Sequence, residues 1–390
     1  MTLRFLTAGE SHGPELVTIL EGFPAGLALD RNRIDQDLKR RQTGYGAGGR
    51  MKIESDSVRI LGGVMAGVTT GAPLAFSIEN KDHTKWRGRP VKPFTIPRPG
   101  HADLTGAVKY GYRDLRISLE RASARETAAR VAVGAVCRLL LEQFDIQVRG
   151  WVASIGKIAA DLESISLPDR IRNAQSSDVA CPDAAASQLM RDVIRQAMSD
   201  GETLGGVIES VALGLPPGLG SHVHYDRRLE TRLGAAVLSI PAIKGVEFGT
   251  AFMNTTLSGS QAHDSIGLDE GNIIRSTNHC GGLEGGITTG QPLLLRAAMK
   301  PIATTITPQN SVDLASGQPV KTEYERSDFC PVPRAVVIVE AMMAFVLAEA
   351  LIEKLGGDSL DEMLPRFNAL KQMRTADLPM DAFAHTWWPE

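Results

Sequence analysis

Two long segments of the chain are rich in apolar residues and poor in helix-breaking ones. The first covers residues 122–142, where Gly134 is the only glycine and proline does not occur. The second covers residues 334–354, directly after Pro333. It is followed by Gly356 and Gly357, and glycine is typical of a helix end. Alanine, valine and leucine fill most positions, so we predict two long buried helices.

Shorter apolar runs lie between turns that contain glycine or proline. They cover residues 16–21, 58–61, 74–78, 207–213 and 293–297. Runs of this length between turns are typical of antiparallel strands. We therefore predict an α+β fold in which antiparallel sheets surround the two long core helices.

Internal similarity indicates how these elements are organised. Residues 62–74 read GGVMAGVTTGAPL and residues 281–293 read GGLEGGITTGQPL, while GFPAGL at 22–27 matches GLPPGL at 214–219. Two matches in the same order predict duplication of a unit of about half the chain. Chance similarity between turns, which use few residue types, is the alternative. Duplicated halves would pack about a pseudo-twofold axis, with a site between them.

The predicted domain covers residues 1–360, with halves at roughly 1–150 and 200–360. Residues 157–200 are less regular, and we expect an insertion there with one helix near 184–198. Residues 375–390 are predicted to form a loosely ordered tail.

Charge and cysteine content exclude several classes of protein. Lys and Arg number 42 against 45 Asp and Glu, so the formal charge of −3 provides no overall basic field for nucleic acid. The four cysteines have no CxxC spacing, which fits reduced thiols in a cytoplasmic protein without a metal site. The sequence shows no signal-peptide pattern and no run of about 18 apolar residues, so we expect neither export nor membrane insertion.

Two histidines lie in glycine-containing loops that could support catalysis. GESHG at 9–13 contains Ser11 and His12, and histidine can protonate a leaving oxyanion near neutral pH. The alternative is that His12 has only a structural role. A serine hydrolase is disfavoured, because no helix follows Ser11 as it would in a nucleophile elbow. RPGHAD at 98–103 places His101 in a turn where Asp103 can orient the ring, unless this is an ordinary solvated turn.

Arginine clusters are the candidates for anion binding. Arg121 and Arg125 lie at the start of the first predicted helix, where free N–H groups and the helix dipole favour an anion. Ion pairs with neighbouring glutamates are the alternative. Arg41 and Arg50 flank the glycine-rich residues 44–49, a loop that could fold over a phosphate or stay solvated.

The second half contributes KPIATT at 300–305, which ends a predicted strand with a cation and hydroxyl groups. Arg326, Ser327 and Asp328 immediately precede the second long helix. A carboxylate at a helix start is ordinarily a cap, and this explains Asp328 adequately without a catalytic role.

Six segments together resemble the successive signatures of chorismate synthases. They are GESHG at 9–13, RPGHAD at 98–103, ERASARET at 120–127, RSTNHCGGLEGG at 275–286, KPIATT at 300–305 and RSDFCPVPRA at 326–335. The resemblance implies a single-domain β-α-β sandwich, a homotetramer and dependence on reduced FMN. It also implies the reaction, a 1,4-anti elimination of phosphate from 5-enolpyruvylshikimate-3-phosphate that gives chorismate in the shikimate pathway of aromatic amino-acid biosynthesis.

The resemblance also implies site residues. The catalytic set is His12, which protonates the departing phosphate, His101 and Asp328 beside the flavin, and Ser11 in proton movement. The flavin contacts are Arg121, Ala122, Ser123, Gln261, Ala262, Gly285, Lys300, Pro301, Ile302, Ala303, Thr304 and Arg326. The substrate contacts are Arg41, Arg50, Arg98 and Arg125.

One position departs from the family pattern. The glycine-rich loop commonly reads GYGRG, and this chain has Ala47 in place of the arginine. Ala47 suggests one alternative to an active lyase, a homologue that binds flavin or an anionic metabolite in a regulatory role. A flavin reductase that uses a nicotinamide nucleotide is a second alternative. We expect an active cytoplasmic enzyme whose FMN is reduced by an external flavin reductase, with NADPH only as an indirect reductant.

Overall fold

The structure is a computed structural model that describes residues 2–47, 55–325 and 327–388. The first half of the chain forms β1 (Arg4–Ala8), β2 (Glu15–Glu21), α1 (Arg31–Gln42), β3 (Val58–Gly62), β4 (Val64–Met65), β5 (Val68–Thr69), β6 (Leu74–Glu79), α2 (Asp103–Tyr110), α3 (Arg116–Arg121) and α4 (Thr127–Glu142).

The second half contains more elements, because it carries the insertion and several short hairpins. They are β7 (Gln147–Ile155), β8 (Ile158–Ala159), α5 (Leu167–Ser176), α6 (Ala184–Asp200), β9 (Gly206–Leu213), α7 (Leu229–Leu238), β10 (Ile243–Phe248), α8 (Ala251–Asn254), α9 (Gly259–Ala262), β11 (Ile266–Asp269), β12 (Asn272–Arg275), β13 (Leu283–Glu284), β14 (Ile287–Thr288), β15 (Leu293–Met299), β16 (Asn310–Asp313), β17 (Gln318–Lys321), α10 (Val332–Leu355) and α11 (Leu360–Asn368).

Two antiparallel sheets enclose the long helices. The first sheet has the strand order β1-β2-β6-β3 and the second has the order β10-β15-β9-β7-β8. Strand β2 shows how the sequence builds them, because Leu16, Thr18 and Leu20 are buried while alternate residues are more exposed. This alternation directs one face of the strand toward the helices.

The two halves repeat the same topology. Strands β1, β2, β6 and β3 of the first half have the connections and neighbours that β7, β9, β15 and β10 have in the second. Equivalent hydrogen bonds recur as well, since Thr69 Oγ1 donates to Pro24 O at 2.8 Å and Thr288 Oγ1 donates to Pro216 O at 2.7 Å. The predicted α+β fold with two duplicated halves is confirmed.

Helices α4 and α10 occupy equivalent places in the two halves and pack directly on each other. Helix α4 contacts β2 and β6 of the first sheet, while α10 contacts β7 and β9 of the second. A Cβ added at Gly134 would lie 2.2 Å from Cβ and 2.3 Å from Cα of Ala341. Because real Cβ atoms do not approach other atoms so closely, this helix spacing requires glycine.

Helix α10 is long and apolar enough to cross a membrane by composition, but 89% of its most apolar window is buried inside the protein. Its one deeply buried carboxylate, Glu340, accepts two hydrogen bonds from Arg40 at 2.7 and 2.9 Å. Arg138 of α4 also pairs with Glu340, at 3.2 Å. The helix therefore has the surroundings of a core helix, with its charge neutralised by neighbours.

Some elements differ from the prediction. Helix α4 begins at Thr127 rather than at residue 122, because residues 124–126 form a separate 3₁₀ turn in which Ser123 Oγ accepts from Arg125 N at 3.3 Å. Strands β7 and β10 were not predicted. Each contains a glycine, and neither shows a simple alternation of apolar and polar residues. In β7 the reason is that both faces of the strand are covered.

The insertion lies on the second sheet. Leu162, Leu167 and Ile171 pack against Trp151 and Val211, which project from β7 and β9 away from the main core. Helix α6 covers residues 184–200 of the segment where one helix was expected, and Asp183 caps it by accepting from Ala185 N at 2.9 Å.

We predict that Gly134→Ala destabilises the fold, although a helical glycine replaced by alanine normally gains up to about 1 kcal/mol. The added methyl group would push α4 from the backbone of Ala341, and overpacking of this kind costs about 1–3 kcal/mol. Gly234→Ala in α7 is the matched control, because nothing lies within 4 Å of the added atom. Urea unfolding of both variants is the measurement, and shifts in the same direction would contradict the packing argument.

Candidate active site

A cleft of about 1150 Å³ opens where the two halves meet. Its walls come from the β1–β2 loop, the segments after β6 and β15, and the residues before α4 and α10. Many predicted site residues line it: Ser11, His12, Arg98, His101, Arg121, Ala122, Ser123, Lys300, Ile302, Ala303, Thr304 and Asp328. Both halves therefore contribute to one site.

His12 is fixed by a carboxylate and an aromatic ring. Its Nδ1 lies 2.8 Å from Glu120 Oε1, and its ring centroid lies 4.5 Å from that of Trp86. Burial alone would raise the pKa of Glu120, but the hydrogen bonds and charge of His12 outweigh burial and lower this pKa. Glu120 is therefore ionised at neutral pH and faces the imidazole as a hydrogen-bond acceptor.

Ser11, the neighbour of His12, connects the loop with the residues before α4. It is 2% exposed, and its Oγ accepts a hydrogen bond from Ser123 Oγ at 3.2 Å. This contact joins a predicted catalytic residue to a predicted flavin contact.

His101 belongs to a second charged cluster. Its Nδ1 lies 2.6 Å from Asp103 Oδ1, so the orienting contact predicted for Asp103 is present. Arg98 donates to both carboxylate oxygens of Asp103 at 2.8 and 3.0 Å, and to Thr304 Oγ1 at 3.2 Å. Burial opposes ionisation of Asp103, but the hydrogen bonds from His101 and Arg98 lower its pKa well below the usual range.

Lys300 lies on the part of the cleft wall that the second half of the chain contributes. Its Nζ donates to Gly100 O at 3.0 Å, directly beside His101. Gly100 has φ +76°, a conformation that favours glycine, and a Cβ there would lie 3.2 Å from Lys300 Nζ. Thr203 Oγ1 donates to Ile302 O at 2.9 Å and fixes the following residues.

Arg41 and Arg125 lie behind the cleft wall and do not line it. Both are nearly fully buried and pair with Asp56, Arg125 through 2.6 and 2.7 Å hydrogen bonds. Arg125 Nε also donates to Asn80 Oδ1 at 2.7 Å, and Asn80 Nδ2 donates to Gly13 O at 2.8 Å. Arg125 thus supports the loop that carries His12, and direct substrate contact by either arginine stays a prediction.

Asp328 lines the cleft and lies shortly before α10. Its carboxylate accepts a hydrogen bond from Arg334 Nη1, and Arg334 Nε donates to Arg41 O at 2.9 Å. Arg334 was not among the predicted site residues. Of the predicted contacts, Arg50 and Arg326 lie outside the described residues.

Some predicted flavin contacts are not among the residues that line the cleft. Gln261 and Ala262 are in the short helix α9, and Gly285 is in the turn between β13 and β14. Pro301 lies between two lining residues but is itself exposed. In one copy of the chain, therefore, Gln261, Ala262 and Gly285 are not brought to the cleft.

The cleft has a positive charge that the sequence motifs only partly indicated. Its basic side chains are Lys85, Arg89, Lys92, Arg98, Arg121, Arg130 and Lys300. Lys85 is neutralised by Asp82 and Arg130 by Glu126, at 2.7 and 2.8 Å. Of the basic residues that were not predicted, Arg130 belongs to α4 and the others come from the basic segment 81–92, where a charge run was the only signal. Such an excess of cations favours anionic ligands.

Known proteins resemble this chain over nearly its whole length. The family model described as Chorismate synthase matches residues 3–352. The chorismate synthase of Trichlorobacter lovleyi is 50% identical over 378 residues, covering 93% of this chain and 96% of the relative. That of Aquifex aeolicus is 50% identical over 383 residues, covering 94% and 96%. A crystal structure of a chorismate synthase matches with a TM-score of 0.78 and 42% identity, covering 94% of this chain and 97% of that chain.

We predict that Asp103→Asn lowers the free energy of unfolding at pH 7 by about 1.5–3 kcal/mol, because Arg98 loses a charged partner. The folded-state pKa of Asp103 is depressed, so its contribution is complete above the unfolded pKa of about 3.9 and is lost as the pH falls below it. The difference between parent and variant should narrow as the pH falls below about 4.

Urea unfolding at three pH values measures this difference. Asp226→Asn is the matched control, because Asp226 pairs with His224 at the same sequence spacing but is exposed. It should change stability little. A difference between Asp103→Asn and the parent that widens in acid would contradict the assignment.

Proposed function

The chain belongs to the chorismate synthase family of carbon–oxygen lyases, and we propose that its cleft binds reduced FMN together with 5-enolpyruvylshikimate-3-phosphate. The family reaction eliminates phosphate from this substrate and forms chorismate, the last common step of aromatic amino-acid biosynthesis. One observation carries the proposal: a single positively charged cleft brings together His12, His101 and Asp328 from distant parts of the chain.

The cleft suits a flavin beside a second small molecule. Its volume of about 1150 Å³ exceeds the usual upper range of roughly 1,000 Å³ for one small-molecule site. Apolar side chains supply a surface for a planar ring: Leu119, Ala122, Pro241, Ala242, Ile302 and Ala303. We propose that residues 121–123 and 300–304 hold FMN between them, with His101 and Asp328 beside it.

Basic side chains are proposed to bind the substrate and favour loss of phosphate. A substrate with a phosphate and two carboxylates needs several cations, and Arg89 and Lys92 supply charge at the cleft surface. Behind the wall, the guanidiniums of Arg41 and Arg125 share the carboxylate of Asp56 and add a further positive field.

His12 is proposed to neutralise the departing phosphate. When bound, reduced FMN would supply transient electron donation that weakens the carbon–oxygen bond and would accept the hydrogen that leaves C6 of the substrate. The residues of the chain provide the rest: His12 delivers a proton to the leaving oxygen, and Ser11 and Ser123 connect hydroxyl groups along the same wall. Arg334 pairs with the carboxylate of Asp328 and holds it at the cleft wall.

We further propose a homotetramer in the cytoplasm, in which a neighbouring copy supplies Gln261 and Ala262 to the cleft. These residues do not reach the cleft of their own chain, and exposed apolar side chains lie in the segments on either side of α9. They are Phe252, Met253, Ile266 and Leu268. Such a group of exposed apolar residues favours burial against a partner. An external flavin reductase is proposed to supply reduced FMN, with NADPH as its electron donor.

We predict that the protein converts 5-enolpyruvylshikimate-3-phosphate to chorismate and phosphate in equal amounts when chemically reduced FMN is supplied under anaerobic conditions. Chorismate absorbance and phosphate would be followed together. Equal release would establish the lyase and show that Ala47 is tolerated in the loop. Flavin binding without either product would instead support the regulatory alternative, for which the comparisons offer no support.

We predict that His12→Ala lowers the rate of phosphate release by about 10²–10⁴-fold, the range for loss of a general acid. FMN affinity should change little, since the predicted flavin contacts are other residues. His224→Ala is the matched control, because His224 is an exposed histidine that also pairs with an aspartate. Equal losses of phosphate release and FMN binding in His12→Ala would contradict the assigned role.

A further inference from the structure

Glu120 makes three hydrogen bonds to the loop that carries His12. Its Oε1 lies 2.8 Å from His12 Nδ1, its Oε2 accepts from His12 N at 2.7 Å, and its backbone O accepts from Ser11 N at 3.1 Å. The side chains of His12 and Glu120 are only 19% and 14% exposed. One residue at the end of α3 therefore fixes both the backbone and the ring of His12.

We propose that Glu120 is a positioning residue that keeps the proton of the His12 ring on Nδ1 and so makes Nε2 the atom that delivers a proton to phosphate. This inference rests on the proposed role of His12 as the general acid. It identifies which ring nitrogen acts and which residue determines that choice.

The charge of Glu120 determines the tautomer. An ionised carboxylate accepts hydrogen bonds and cannot donate them, so Nδ1 must carry a hydrogen. The neutral ring then has a free Nε2, and a proton added to the ring is placed there. When the ring carries its second proton, the carboxylate of Glu120 also faces it as an opposite charge.

Other groups packed around the pair reinforce this arrangement. Trp86 covers the His12 ring, and the Arg116 guanidinium carbon lies 5.5 Å from the centroid of Trp86. Arg116 also favours the ionised form of Glu120 through its charge, so it lowers the pKa of that carboxyl. His83 Nδ1 lies 2.8 Å from His12 O and fixes the backbone on the other side. Ring rotation in His12 is restricted by these contacts.

The competing explanation is that Glu120 only holds the loop in place. Glu120→Gln separates the two explanations, because its amide oxygen can still accept from His12 N. Its NH₂ group would then face Nδ1 as a donor and would favour the tautomer with hydrogen on Nε2. The loop contact survives in this variant, while the tautomer and the negative charge do not.

A double-mutant cycle with Glu120→Gln and His12→Ala tests the proposal in the full-length protein with reduced FMN. We expect Glu120→Gln to lower kcat by about 100-fold, because a wrong histidine tautomer is severely inhibitory. KM for 5-enolpyruvylshikimate-3-phosphate and FMN affinity should change by less than about twofold. The double variant should be no slower than His12→Ala, because Glu120 acts through His12.

Glu142→Gln is the matched control for loss of one carboxylate. Glu142 pairs with Arg33 at 2.8 Å and does not line the cleft, so kcat should be unchanged. Additive losses in the double variant, or a Glu120→Gln enzyme with the parent kcat, would overturn the proposal. If His12→Ala itself retained full activity, the proposed function of His12 would fail instead, and the two failures are thereby distinguishable.

Trp86 fluorescence provides a readout that does not depend on turnover. Contact with an imidazole quenches indole emission, and subtraction of the Trp86→Phe form of each protein isolates the signal of Trp86. We expect Glu120→Gln to keep this emission near the parent level while kcat falls, because its amide still contacts Nδ1 and the ring stays beside Trp86. Emission in Glu120→Gln that rises to the level of His12→Ala would show that the ring has left its place, so that lost positioning and not the wrong tautomer explains the lower kcat, and would overturn the proposal.

Discussion

The direct contact between α4 and α10 is the constraint on which the rest of the molecule depends. These helices are the equivalent core elements of two duplicated halves, and the absence of a side chain at Gly134 lets α4 approach the backbone of Ala341. Each sheet buries its apolar face against this pair. Because both helices start at the same side of the molecule, the residues that precede them form one cleft. Duplication thus creates a site that neither half contains alone.

Buried charge is the second requirement of this architecture. A guanidinium removed from water needs carboxylate or carbonyl partners, and Arg125 satisfies that need with Asp56, Asn80 and a backbone carbonyl. Asn80 in turn binds the loop that carries His12. The cost of burying charge is therefore offset by contacts that also fix the catalytic loop, so the stability of the wall and the precision of the site have a common origin.

The cleft has two kinds of surface, shielded ion pairs and exposed cations, and the proposed chemistry needs both. Paired clusters such as Arg98 with Asp103 and His12 with Glu120 are rigid and largely shielded from water. Cations at the mouth, including Arg89 and Lys92, are exposed and able to meet an anionic ligand. A preorganised interior with a positive entrance suits a reaction in which phosphate leaves from a bound anion.

The sequence by itself determined the class of fold, the duplication, the two core helices and many of the polar residues in the cleft. These features depend on local periodicity, on repeated turns and on short motifs, and each of these signals lies within a short stretch of sequence. Only the tertiary structure decided that Arg41 and Arg125 lie behind the wall, and that Glu120, Trp86 and Arg334 serve the site. Burial and pairing depend on residues far apart in sequence, and the spacing of charged residues along the chain does not specify which partner each one meets.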